Sequence, residues 1–196
     1  FRSVADLQHM PSNAQAAFCD MFREAEVTGD WPGQLLQGKV VCLAKTEHPS
    51  SVGDYRPITI LGMLYRVWSS YQAQNAIRAL DQHLPDTLYG CRPARFAGQV
   101  WSQLLWAVES AVSHGVALTG LIADLQKAFN HIPRVVVFEA AALLGLPFPL
   151  LTARAGALVK VGRRFQIGSN LTRNVFSSTG MPEGDGLSCL GMLIEI

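Results

Sequence analysis

The chain has 196 residues, 49% of them hydrophobic and 16% charged, which is enough apolar surface for one folded domain and excludes a disordered tail. A formal net charge of +1 neither requires nor excludes a polyanionic partner, because such binding depends on where the cations sit. Cys19, Cys42, Cys91 and Cys189 form no CxxC pair and the five histidines form no HxH or HxxxH pair, so a zinc site and a secreted disulfide scaffold are both disfavoured.

From Ser12 to about Val27, Ala16, Ala17, Phe18, Met21, Phe22 and Ala25 recur at helical spacing, with Ser12 or Asn13 as cap, and Gly29, Pro32 and Gly33 end the helix. Lys39–Lys45 (KVVCLAK) and Tyr55–Ile60 (YRPITI) read as strands of a hairpin around the loop TEHPSSVGD. A helix is expected over Leu61–Leu80. After a Pro-containing turn comes a second one, whose Phe96, Val100, Leu104, Val108 and Val112 make one apolar stripe before Gly115. Val116–Asp124 (VALTGLIAD) reads as a buried strand ending in a carboxylate. Helices over Val135–Leu144, after Pro133, and about Pro149–Val159 follow. A second hairpin, Arg164–Ile167 with Thr172–Ser177, then leads to the glycine-rich TGMPEGDG and a last helix. The class is α+β, helices packed on a small mixed or antiparallel sheet.

No apolar run reaches the roughly 18 residues of a membrane span; Val135–Leu151 is broken by Glu139, Pro147 and Pro149. No signal peptide is evident, so the expected location is intracellular, nucleus or cytoplasm, and not secreted. Phe1 in place of Met, and an end at Ile196 inside an apolar stretch, suggest a cut chain.

Lys45 and Arg56 would lie side by side near the base of the first hairpin. Either they are solvated cations guarding an edge strand, or they share an anion such as a polyphosphate, the lysine as point charge and the guanidinium as fork. Asp124, at the end of an apolar strand, needs a partner: Lys127 in a salt bridge, or a hard divalent cation. Phe129 suits a core, or a ring packed against a bound sugar. The glycines of TGMPEGDG allow close approach of backbone to a ligand. GLSCL misses the last position of G-x-S-x-G, which disfavours a serine hydrolase.

Taken in order, VVCLAKTEHPSSVGDYRPITILGMLYRV, GLIADLQKAFNHIPR and VFSSTGMPEGDGLSCLGM resemble motifs of reverse transcriptases, especially those of non-LTR retrotransposons and group II introns. GDWPGQLLQGKVV is similar to the lead-in to their fingers. The resemblance implies a right-hand polymerase, divided here into a helical lead-in (1–36), a fingers-like region (37–115) and a partial palm (116–196). It implies that Lys45 and Arg56 hold the triphosphate of a deoxynucleoside triphosphate. Asp124, with the Leu125 carbonyl, would bind two Mg2+ ions, Phe129 would screen the sugar, and Glu183 and Gly184 would touch nucleotide and template. The implied reaction is template-directed transfer of a nucleotide to a primer 3′-hydroxyl, with an RNA template and a DNA primer as partners. Arg92, Arg95, Arg163 and Arg164 are candidates for phosphate contact.

Asn130 stands where the family has a second aspartate, and Glu183 replaces a glutamine, bringing an acceptor that repels phosphate unless protonated or paired. The x-D-D motif and the thumb are not in the sequence, so the isolated chain is expected to be inactive. Two alternatives stay open: a degenerate polymerase-like module that binds RNA or a protein without catalysis, and a mostly helical interaction domain with accidental motif matches.

Overall fold

A computed structural model describes residues 8–195; the expectations attached to Phe1, to Ile196 and to the first part of the 1–36 lead-in lie outside them. Among the described residues the chain is α+β, with seven helices and a four-stranded mixed sheet. The order is α1 (Ser12–Thr28), β1 (Gln37–Ala44), β2 (Tyr55–Ile60), α2 (Met63–Leu80), α3 (Ala97–Ser113), α4 (Ala128–His131), α5 (Arg134–Leu143), α6 (Phe148–Lys160), β3 (Gly162–Ile167), β4 (Asn170–Leu171) and α7 (Gly186–Glu195).

The sheet runs β2-β1-β3-β4. β1 and β2 form the expected antiparallel hairpin, in register from Lys39↔Ile60 to Ala44↔Tyr55. β3 lies parallel to the other side of β1, Gln37 opposite Gly162, a pairing that needs a long crossover, here supplied by the intervening helices. The expected second hairpin forms only in part: β3 turns back on the two-residue β4, Asn170–Leu171, while the expected strand Thr172–Ser177 does not form and contributes only an isolated bridge from Val175 to Arg163. Period-2 alternation decides the faces: Gly38 and Val40 are buried while Gln37 and Lys39 are exposed.

The helical core is organised by aromatic rings. Trp31 meets Tyr65 and Trp68 edge-on, with centroids 5.1 and 4.8 Å apart, the geometry favoured by ring quadrupoles. Its buried indole N–H needs an acceptor and donates to the Ala153 carbonyl at 2.8 Å, tying the end of α1 to α6. Ala25, Ala153 and Ala157 are fully buried along this contact, so the two helices approach closely. At α1's start, the N-cap is Pro11 rather than Ser12 or Asn13, and no side chain caps it. At its end, Gly29 takes the left-handed conformation (φ 71°) and its N–H returns to the Ala25 carbonyl.

The expected palm strand Val116–Asp124 does not form. These residues are irregular and exposed, Leu121 and Ile122 to 92% and 90%. Apolar β-branched composition makes a run strand-like, but a strand needs a free edge to pair with. β1 is already paired on both sides, and the outer edge of β2 is engaged at Thr59 by the Glu183 carbonyl. α3 does form with its predicted stripe, but Phe96, Val100, Leu104, Val108 and Val112 are exposed, and none of the helix's residues is buried.

A Cβ at Gly156 would sit 1.8 Å from the Gly29 carbonyl oxygen. Gly156→Ala therefore sets a helix-propensity gain of about 1 kcal/mol against an overpacking cost of roughly 1–3 kcal/mol or more. The expected outcome in urea denaturation is a net loss of stability; equal or greater stability would refute the close α1–α6 contact.

Candidate functional site

The hairpin loop is held by its own polar groups. Asp54 accepts the N–H groups of Ser50 and Ser51 at 2.9 and 2.7 Å, and the Lys45 N–H donates to the Asp54 carbonyl at 2.8 Å. The Ser51 amide, then the Ser50 amide, hold the Asp54 carboxyl below the usual carboxylate range. Arg56 lies opposite Leu43, and Lys45 is two residues beyond Leu43, so both cations project from one face of the hairpin. The Lys45 ammonium donates to the Gly53 carbonyl at 3.1 Å.

The glycine-rich loop before α7 lies against this hairpin. The Thr59 N–H donates to the Glu183 carbonyl at 2.9 Å. Gly184 has φ +95° and its missing Cβ would be 2.9 Å from the Thr59 carbonyl oxygen, so only glycine fits both the conformation and the space. The loop's other side meets the segment after Asp124: the Met181 N–H donates to the Phe129 carbonyl at 2.7 Å, and the Gly180 N–H to the Ile132 carbonyl at 3.0 Å. Asn130 Nδ2 reaches Glu183 Oε1 at 3.5 Å. The two departures from the family motifs thus meet each other.

Glu183 is half-buried, and burial raises its carboxyl above the ordinary value while Arg56, Lys45 and Arg163 pull it down. Arg163 is half-buried as well; burial lowers it and Glu183 raises it. The charges of Arg56, Lys45 and Arg163 thus favour the ionised form of Glu183, while its one side-chain hydrogen bond among the described residues comes from Asn130.

Two arginines missed in the sequence hold the loop. Arg134, at the start of α5, donates to the carbonyls of Gly180 (2.7 Å), Leu158 (3.1 Å) and Thr179 (3.3 Å). Arg154, buried in α6, pairs with the buried Asp185 and donates to Tyr65 Oη at 2.6 Å and Ser188 Oγ at 3.1 Å. Ser188 Oγ in turn donates to the Pro182 carbonyl at 2.9 Å. Burial opposes the Arg154 charge, but Asp185 and Tyr65 hold its pKa above the ordinary value. A charge in the apolar run LTARAGALV, and an aspartate just ahead of an apolar helix, were the available signals.

The other expected residues are dispersed. Asp124 is exposed and makes no hydrogen bond or ion pair among the described residues; neither the salt bridge to Lys127 nor a buried strand end is present. Lys127 instead adopts a left-handed conformation (φ 52°) as N-cap of α4. Phe129 is half-buried against the small core of Ile132, Val137 and Met181. Arg92, expected at a phosphate, is buried and spends its donors on Asp81 and the carbonyls of Asp81, Pro85 and Leu88. Arg95 pairs with Asp86 and lies 5.4 Å above the Tyr89 ring. Arg164 is exposed and bonds Asn174. No group of three or more His, Cys, Asp or Glu among the described residues is arranged to hold a metal. Asp124 and Leu125 lie exposed next to each other, with no second carboxylate gathered beside them among the described residues.

No protein-family model matches this chain, and no curated protein matches it. No helix among the described residues is long and apolar enough to cross a membrane.

Asp185→Ala strands a buried guanidinium and is expected to cost about 3–5 kcal/mol in chemical denaturation, whereas Arg154→Met with Asp185→Leu should recover most of that loss; an additive double variant would contradict the pairing. The Asp54 pKa is lowered on folding, so its stabilisation is present above the unfolded value and fades as pH falls through the folded one. Asp54→Asn should therefore melt below the parent chain at pH 7, with the difference shrinking in acid; a pH-independent difference would exclude this role.

Proposed function

We propose that the chain is a fragment of a reverse-transcriptase domain of the non-LTR retrotransposon or group II intron type, fingers plus part of the palm, whose hairpin face takes the triphosphate of a deoxynucleoside triphosphate. One observation supports this above the others. Lys45 with Arg56, Phe129 with Asn130, and Glu183 with Gly184 belong to three separate motifs, and hydrogen bonds and charge bring those segments to one sheet edge. Accidental motif matches give no reason for such a meeting.

In this reading Lys45 supplies a compact charge and Arg56 a planar fork to phosphate oxygens. The reaction of the complete enzyme is attack of a primer 3′-hydroxyl on the α-phosphate, with pyrophosphate leaving. Asp124 and the Leu125 carbonyl are the groups that would hold magnesium, which neutralises phosphate charge when bound. Arg95 and Arg164 remain at the surface for backbone phosphates of template or primer. A second reading, a polymerase-like module that binds RNA or protein without catalysis, draws support from the exposed Asp124 and the uncovered apolar face of α3.

Deoxynucleoside triphosphate binding by the purified chain, followed by equilibrium titration, separates the readings from accident. Lys45→Ala and Arg56→Ala should each weaken binding about tenfold or more, the effect of losing roughly 1.4 kcal/mol, without lowering the melting temperature. Primer extension on an RNA template should yield no product, because Asp124 is alone. Unchanged binding in both variants would sink the proposal, and magnesium-dependent incorporation would overturn the inactive-fragment part of it.

A further inference from the structure

We propose that this chain forms a two-fold dimer through the apolar half of α3, a second copy of the same chain being the occupant of that face. The inference is independent of the triphosphate reading and goes beyond it.

The helix is divided cleanly around its axis. At about 3.6 residues per turn, Val100, Trp101, Leu104, Leu105, Val108 and Val112 fall within one half of the circumference, and Gln99, Gln103, Glu109 and Ser110 fall in the other. The polar half is the one turned toward the rest of the chain. Gln103 Nε2 donates to Tyr89 Oη at 2.5 Å, and Gln99, Ser102, Gln103 and Trp106 line a cleft of about 360 Å³ walled on its other side by Tyr89 and Arg95. The six apolar side chains belong to neither core cluster and are 41–75% exposed. An amphipathic helix ordinarily packs by its apolar stripe, and a single helix of this length is marginal in water without such packing. The orientation of α3 is therefore the reverse of what a monomer would need.

Two features identify the occupant. The first is charge. Glu109, in the polar half, is the one charged residue of α3. The apolar half has no charge to repel an identical face, and such uncharged patches are the character of homodimer interfaces rather than of transient ones. The second is area. The exposed parts of the six side chains come to on the order of 600 Å² per copy. Two copies would bury about 1,200 Å², which reaches the range of stable interfaces, roughly 1,200–2,000 Å².

The spacing also sets the pairing. Trp101, Leu104, Val108 and Ala111 recur at the three- and four-residue steps of a coiled-coil seam, which packs helices at a shallow angle. A closed pair presents the same patch on both copies. Set antiparallel, each helix start lies beside the end of the other copy's helix, the arrangement that helix dipoles favour. Full overlap of the stripe from Phe96 to Val112 puts the two-fold axis at Leu104.

Sedimentation equilibrium of the full chain at micromolar concentrations tests this, with circular dichroism to verify folding. The parent should sediment at twice the mass of one chain. Leu104→Lys and Leu104→Glu, at a site the fold does not bury, should each weaken dimerisation about thirtyfold or more, the effect of losing an interface hot spot. Mixing those two variants should restore a dimer holding one copy of each, because the opposite charges then meet at the axis. Ser110→Lys, in the polar half, should stay dimeric. A parent chain that is monomeric throughout, or Leu104 variants as dimeric as the parent, would overturn the proposal. A mixture that stays monomeric would exclude the two-fold pairing at Leu104, and assemblies that grow without limit would exclude a closed pair.

Discussion

The buried ion pair between Arg154 and Asp185 is the constraint on which the candidate site depends. It joins the middle of α6 to the turn before α7, and with Tyr65 and Ser188 it ties α2 to the same point. Arg154 Nε and Asp185 Oδ1 have no hydrogen-bond partner among the described residues, so the network is not optimised for stability alone. Incompletely satisfied buried charges are poor stabilisers. What the pair does supply is location: with Arg134 on the loop's other side, it fixes the path of Met181–Gly184 along the edge of β2.

That location links helical packing to surface chemistry. The aromatic cluster of Trp31, Tyr65 and Trp68 sets the spacing of α1, α2 and α6. Tyr65, buried in that cluster, passes the register to Arg154 through its hydroxyl, and burial together with the Asp185 charge keeps that hydroxyl protonated far above its ordinary range. The loop then closes the outer edge of β2 at Thr59 and places Glu183 beside Asn130. The same closure denies the apolar run after α3 an edge to join. Leu121 and Ile122 stay exposed, and the apolar stripe of α3 is exposed as well.

Much of the fold was legible because local rules decided it. KVVCLAK and YRPITI alternate and flank a loop rich in Pro, Ser, Gly and Asp, and the hairpin appears there within two residues of the expected ends. The helices after Pro133 and around Pro149 follow periodicity and Pro placement in the same way. Val116–Asp124 failed because strand formation is a tertiary event: composition shows a willing strand, never a free partner edge. The site was legible by halves. Charge alone indicated that Glu183 needed pairing, and the hairpin geometry indicated that Lys45 and Arg56 share a face. That Arg163 lies over Gly38, and that Arg92 is consumed by carbonyls, depends on contacts between segments whose relative placement no local pattern contains.

The central claim is that three distant segments build one polyphosphate-binding surface. Amide chemical-shift mapping of the labelled chain during titration with a deoxynucleoside triphosphate tests it most directly. The account predicts that the largest shifts, saturating with a single affinity, fall on Lys45, Arg56, Thr59, Asn130, Glu183 and Gly184. Shifts confined to one of these segments, or centred on α3 and the Tyr89–Arg95 surface instead, would contradict it.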